Sequence, residues 1–198
     1  FAREIADCIT ASGIKSPTIV GHSFGGTMTH NAAFLYPQRI NGIILVDSYL
    51  LSQKQEGKRH SRPRGATRYY PTLSEATKRF RLRPPQKRPM EFVLNYIAEQ
   101  SVRKTANGWC FKYDPALFAK MIQDTDLPSA TDMLRDLKIP VGLIYGRQSR
   151  FFPSSTVKNL ETLVSKDLTI GISNAHHHVF LDQPIPFTKA LVVLLKRL

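Results

Sequence analysis

Residues 19–26 read Ile-Val-Gly-His-Ser-Phe-Gly-Gly, and the reading of this octet decides the fold. Thr18, Ile19 and Val20 follow Pro17 and are β-branched, which predicts the end of a short buried strand. After Gly26 the pattern changes, and Met28, Ala32, Ala33 and Leu35 recur at helical spacing. Between strand and helix, Gly21-His22-Ser23-Phe24-Gly25 has the G-x-S-x-G spacing of a nucleophile elbow. Such a turn is so sharp that its serine takes a strained backbone and its hydroxyl is pushed out toward a substrate. Glycines at 21 and 25 are expected to remove Cβ atoms that would collide in the turn. The helix that follows points its N-terminal amides, Phe24 first, at the place where an oxyanion would form. A glycine-rich loop carrying an ordinary hydroxyl is the competing reading, and the strand–turn–helix setting argues against it.

The flanking sequence extends this grammar. Ala2 to Ser12 is an amphipathic helix with Ile5, Ala6, Cys8 and Ile9 inward, and Gly13 is its stop. Ile40 to Val46 is a nearly unbroken apolar run, the mark of a parallel strand buried on both faces, and Asp47 and Ser48 stand at its C-terminal end. Sheet grammar returns at Ile139 to Gly146 and again at Asp167 to Ile172, with a helix expected over Ser154–Val164 between them. The loop Ser173-Asn174-Ala175-His176-His177-His178 and a helix over Pro186–Leu198 close the chain. Strand and helix in alternation predict an α/β fold with right-handed crossovers.

Between these parts the pattern breaks. Lys54 to Gly65 reads as a basic loop, and Leu73–Leu82, Met90–Val102 and Pro115–Gln123 read as helices without a strand of parallel-sheet type. The expected organisation is a core of residues 1–50 and 137–198, with residues 51–136 a helical cap inserted over the sheet edge. Tyr69, Tyr70, Phe80, Phe92, Tyr96, Trp109, Phe111 and Phe118 belong to that insertion, where they pack it or line an apolar pocket above Ser23.

Composition bounds the function classes. With 198 residues and 42% hydrophobic content the chain can bury one real core. No apolar run reaches transmembrane length, so membrane insertion is not expected. The opening Phe1-Ala2-Arg3-Glu4-Ile5 runs directly into helix-like sequence without a signal-peptide pattern. A chain that starts inside an element is expected to be a piece of a longer protein. Cys8 and Cys110 make no disulfide framework and suit a reducing cytoplasm. The net charge of +13 gathers between Lys54 and Lys104, in Lys58, Arg59, Arg62, Arg64, Arg68, Lys78, Arg79, Arg81, Arg83, Lys87 and Arg88. Clustered charge of this kind more often sets solubility and encounter than function, and nucleic-acid binding is not expected of it.

Serine needs a base within hydrogen-bonding reach and an orienting partner for that base. The late histidines are the base cluster, because loops after different parallel strands converge on one crevice at the strands' C-terminal ends. His22 lies within the elbow and His30 two turns into the helix, and both read as structural. A metal site at the three-histidine run lacks any further His, Cys or carboxylate spacing, and no cofactor is implied.

Taken together, G-H-S-F-G-G, I-L-V-D-S, A-T-K-R-F-R-L-R-P-P-Q, G-W-C-F-K-Y-D-P and N-A-H-H-H-V-F-L-D-Q-P resemble the α/β-hydrolase superfamily, in particular its cap-bearing bacterial members, over essentially the whole chain. The resemblance implies the C-terminal part of that fold and the chain order nucleophile, acid, histidine. In the family's A-G-H-H-x-x-x-D-x-P block the histidine after the glycine is the base. His176 takes the glycine's place here, so the resemblance implies His177 as the base, with His176 and His178 as competitors. The acid commonly follows the strand that ends here at Gly146, in a G-x-x-D pattern, but this chain has Ser149 and then Arg150. Some members take the acid from the strand just after the nucleophile helix, and that position is Asp47; a turn or cap aspartate is its competing role. Asp182 lies too near the histidine loop to serve easily and reads as structural. The family fold also begins with strands, and a loop carrying a second oxyanion donor, ahead of the opening helix seen here. Without them the Phe24 amide stands alone, an apolar sheet edge is exposed, and weak activity is expected.

The implied function is a cofactor-free serine hydrolase cleaving an ester, thioester or other acyl-type bond of a small hydrophobic substrate, with Ser23, His177 and Asp47 as the reacting residues and Phe24 as oxyanion donor. Carbon–carbon cleavage by the same residues stays open. A haloalkane dehalogenase is disfavoured, because its nucleophile in this fold is an aspartate. The alternative is a non-catalytic binding protein of the same fold.

Overall fold

The computed structural model describes residues 1–48, 66–86, 90–117 and 127–198. Its contacts divide the chain into two compact units, residues 1–53 with 128–198 and residues 54–127.

The first unit is built on four parallel strands, β1 (Thr18–His22), β2 (Gly42–Val46), β5 (Val141–Gly146) and β6 (Thr169–Ile172), in the order β1-β2-β5-β6. β2 is buried at every position, as its continuous apolar run demands of a strand with helices on both faces. Side chains alternate across the sheet. Ile43, Leu45, Leu143 and Tyr145 point to one face and meet Ala32, Ala33, Leu134 and Leu160. These come from α2 (Phe24–Leu35) and from the helices Ala130–Asp136 and Ser154–Leu160, while Ile5 and Ile9 of α1 (Ala2–Ser12) pack against the same cluster. Ile44, Val46 and Ile144 point the other way, onto Val179, Ala190 and Leu194 from the helices Val179–Asp182 and Pro184–Leu195. Gly13 ends α1 in the left-handed conformation, φ 68°, with its amide on the Thr10 carbonyl. β1 is an edge strand in the described sheet, and the face beside it is an apolar cleft of about 570 Å³ lined by Phe1, Ile5, Ile9, Val20, Phe24 and Met28.

The strand ladder runs past the named strand ends, and this places the site. The Ser23 amide donates to the Val46 carbonyl at 3.0 Å, Asp47 to Ile144 at 2.7 Å and Arg147 to Ile172 at 2.9 Å. Residues 23 and 47 are thereby held side by side at the C-terminal edge of the sheet, and the loop after β5 starts at the same edge.

In the second unit the expectation of helices alone is corrected. Met90–Val102 divides into α4 (Glu91–Gln100) and the start of an antiparallel hairpin, β3 (Val102–Thr105) with β4 (Gly108–Phe111). The signal was present in Asn107-Gly108, where the glycine's positive φ closes the loop of Ala106 and Asn107 against Thr105. Gly108 has φ 106°, and a Cβ there would lie 2.5 Å from the Tyr70 carbonyl oxygen. Tyr70 pairs with Trp109 through both backbone bonds, 2.8 and 2.7 Å, and adds a third extended segment. α3 (Leu73–Thr77) is shorter than the expected Leu73–Leu82 and opens on a capping box between Thr72 and Glu75. Tyr70, Phe80 and Tyr113 pack around Phe111, whereas Phe92 and Tyr96 are exposed. Arg68, Lys78, Arg79 and Arg81 are among the residues lining a cleft of about 490 Å³, together with Glu75. The basic loop expected at 54–65, most of the helix expected over Pro115–Gln123, Phe118, and the cations Lys58, Arg59, Arg62, Arg64, Lys87 and Arg88 lie outside the described residues.

Elsewhere the ends of elements shift. The helix expected over Ser154–Val164 stops at Leu160, and Lys166–Leu168 is a 3-10 turn leading into β6. The histidine loop runs into the short helix Val179–Asp182, and the terminal helix begins at Pro184. Among the described residues no helix is long and apolar enough to cross a membrane.

His30, on α2, is fully buried, and neither ring nitrogen has a hydrogen-bond partner among the described residues. Burial pushes it down to about 4. An unfolded chain takes up this proton near pH 6.5, so it binds more protons than the fold between there and about pH 4. Stability therefore falls as pH drops through that window, by about 3 kcal/mol once the window is crossed. His30→Leu, of similar volume, should remove this part of the acid sensitivity. The check is urea unfolding at about pH 7 and about pH 4.5, where the variant should lose clearly less stability than the parent. Equal losses would contradict it.

Candidate active site

Ser23 sits at the junction of β1 and α2 with φ 53° and ψ −123°, a backbone strained for any residue with a Cβ. It occupies the N-cap position of α2, where a serine hydroxyl ordinarily accepts an amide of the first turn. Here it makes no such bond. The hydroxyl lies 2.8 Å from His177 Nε2 instead.

The close approach at the turn falls on glycines 21 and 26. A Cβ at Gly21 would meet the Gly26 Cα and Thr29 Oγ1, each at 2.6 Å. At Gly26 it would lie 1.8 Å from Ser48 Oγ. The expectation that Gly25 relieves a clash is corrected, since a Cβ there meets nothing within 4 Å among the described residues. Sequence reasoning passed over Ser48, which is buried, its single hydroxyl proton shared between the carbonyls of Gly21 (3.3 Å) and Val46 (3.1 Å), and which fills the space a larger residue at 26 would need.

Of the three consecutive histidines, the one whose ring reaches Ser23 is His177. Its Nδ1–H donates to Asp47 Oδ1 at 2.8 Å, which leaves Nε2 of the neutral ring as the acceptor facing Ser23. His176 turns away, its backbone amide and Nδ1 both bound to Asp182 Oδ2, at 2.7 and 3.0 Å. Asp182 thus shapes the loop. His178 is buried, with its ring 5.0 Å from that of His177 and 5.4 Å from that of His22. The Phe151 ring packs on His177 from another side, at 4.6 Å.

Asp47 is fully buried at φ 43°, directly after β2. An ionised carboxylate in such a place needs donors. Oδ2 accepts the Gly146 amide at 2.8 Å, and Oδ1 accepts Ser149 Oγ–H at 2.6 Å besides His177. Ser149, the residue that stands where a carboxylate is common, is therefore hydrogen-bonded to the carboxylate that is present.

His22, read as structural, is part of this assembly. Its Nε2–H donates to the His177 carbonyl at 2.9 Å and fixes the backbone that carries the imidazole. Burial above all, with repulsion from His177 and His178, pushes His22 down to about 4 against the opposing effect of that bond. It is therefore a neutral donor at physiological pH.

Phe24 supplies the first residue of α2 and the amide next after the serine. Among the described residues no three His, Cys, Asp or Glu side chains are grouped to hold a metal ion.

The fold has recognisable relatives. The sequence matches no curated protein. Solved structures match over nearly the whole chain. E-2-(acetamidomethylene)succinate hydrolase superposes with a TM-score of 0.76 at 18% identity, covering 99% of this chain and 72% of that one. The thioesterase domain from the curacin biosynthetic pathway gives 0.71 at 19% identity, covering 98% and 71%. An esterase from Mycobacterium tuberculosis gives 0.71 at 19%, covering 98% and 66%. At such identities the likeness is one of fold. The sequence model of the alpha/beta hydrolase fold matches residues 1–184, from the helix before the elbow to the loop beyond the three histidines, and the chain therefore belongs to the alpha/beta hydrolase family.

Proposed function

We propose that this chain carries the reacting residues of a serine hydrolase that cleaves an ester, thioester or related acyl bond. The observation that supports this best is the unbroken line Ser23 Oγ, His177 Nε2, His177 Nδ1, Asp47 Oδ1, with both hydrogen bonds at 2.8 Å. Ser23 attacks the acyl carbonyl while His177 Nε2 takes its proton. Asp47 stays ionised and stabilises the imidazolium through Nδ1–H. The carbonyl oxygen, now an oxyanion, is met by the Phe24 amide at the head of α2, where the helix dipole also favours negative charge. His177 returns the proton to the leaving alcohol or thiol, and the acyl group stays on Ser23. Water then attacks the acyl-enzyme with His177 again as base, releasing the acid and restoring the serine. The hydrolase, thioesterase and esterase among the fold's relatives accord with this chemistry. Unpaired Cys8 and Cys110 accord with a reducing cytoplasm.

The test is labelling with a fluorophosphonate, together with hydrolysis of short p-nitrophenyl esters. A covalent adduct on Ser23 and ester turnover are expected, and Ser23→Ala should lose both. A folded protein that forms no adduct, yet shows ligand-dependent thermal shifts without turnover, would be the binding protein instead.

A further inference from the structure

We propose that Ser149 is a positioning residue for His177, acting through Asp47. The proposal rests on the hydrolase reading above for its role in catalysis, but the coupling it describes is measurable without turnover. Ser149 Oγ donates to the same carboxylate oxygen, Oδ1, that receives the imidazole proton, at 2.6 Å against 2.8 Å. The direction of the hydroxyl proton is settled by its surroundings. Ser149 Oγ also accepts the Phe151 amide at 3.2 Å, so its single proton is committed to Asp47. Both partners are buried, Ser149 at 5% exposure and Asp47 at 0%, so the bond is not diluted by water.

The loop that carries Ser149 is tied to the strands on either side of it. Arg147 donates to the Ile172 carbonyl, Gln148 to the Ala175 carbonyl and Ser149 to the Gly146 carbonyl, each at 2.9 Å. The hydroxyl is therefore a fixed feature of the sheet's C-terminal edge.

Two consequences follow for the imidazole. The bond pins Oδ1 in line with Nδ1, on a residue whose own backbone sits at a left-handed φ. It also draws charge from Oδ1. With three donors on the carboxylate, Asp47 stabilises the imidazolium without competing for its proton, and His177 remains able to hand that proton to a leaving group.

The experiment compares Ser149→Thr with Ser149→Val, which match in shape and differ in the hydroxyl. The first readout is the proton NMR resonance of His177 Nδ1–H, assigned by its loss in His177→Gln. The second is the pH profile of fluorophosphonate labelling at Ser23. Ser149→Thr should match the parent in both. Ser149→Val should move the Nδ1–H resonance downfield, because His177 then has Oδ1 to itself. It should also move the acidic limb of labelling up by roughly one pH unit, the coupling expected of a hydrogen bond to a charged group. If Ser149→Val does not fold, Ser149→Cys, with its weaker donor, should give shifts of the same sign and smaller size.

Identical resonances and profiles in the Ser149→Thr and Ser149→Val variants would overturn the proposal. So would a Ser149→Val variant that loses thermal stability alone, since Ser149 would then merely solvate a buried charge. If the resonance moves as expected but Ser23 is never labelled at any pH, the coupling stands and the hydrolase reading is what fails.

Discussion

Replacing His177 with glutamine should lower ester hydrolysis by about 10⁶, the loss seen when the base of a serine-protease triad is removed. Glutamine can hydrogen-bond at the same place but cannot take up a proton and return it. Neither His176 nor His22 is placed to substitute. His176 is bound through its amide and ring to Asp182, and His22 spends its Nε2–H on the His177 carbonyl. The measurement is the initial rate on a short p-nitrophenyl ester, with circular dichroism showing that the fold persists. A loss of less than tenfold would mean that another group takes the Ser23 proton.

Asp47→Asn should cost about 10⁴ in rate, again by analogy with serine-protease triads, where the amide leaves the imidazole in the wrong tautomer. This chain adds a stability cost. Asp47 accepts on both oxygens, from Gly146 N–H on Oδ2 and from Ser149 and His177 on Oδ1. An asparagine has one acceptor oxygen. Turned toward Gly146 it confronts His177 Nδ1 and Ser149 with an amide; turned the other way it sets its NH₂ against the Gly146 amide. A buried donor is left unsatisfied either way, worth about 1–3 kcal/mol. That predicts a melting temperature lower by roughly 3–10 °C for a chain of this size. If the rate falls while the melting temperature holds, the three-donor account of Asp47 is wrong. If neither changes, Asp47 is not the orienting acid.

The regular parts of the fold could be read locally because their signals are local. The apolar run at Ile43–Val46 can be satisfied in one way, between two layers of helices, and the structure buries every residue of it. The hairpin at Val102–Phe111 was legible too, through Asn107-Gly108, but each strand is four residues long and a helical period fits such short runs equally well. At the elbow the local pattern points to the wrong glycine. The motif names Gly25 and leaves out Gly26, yet Gly26 is the crowded one, because Ser48 arrives beside it from the end of β2.

The amino-acid order by itself determined that a strand would turn sharply into a helix at Ser23, since glycines, β-branched residues and helical spacing act over a few residues. It also determined that histidines would stand late in the chain and that Asp47 would close a strand. Which histidine meets the serine, and that Ser149 and His177 share one oxygen of Asp47, were decided only by the tertiary structure. Those facts depend on the register of four parallel strands and on bonds spanning 102 to 154 residues, which no local pattern encodes.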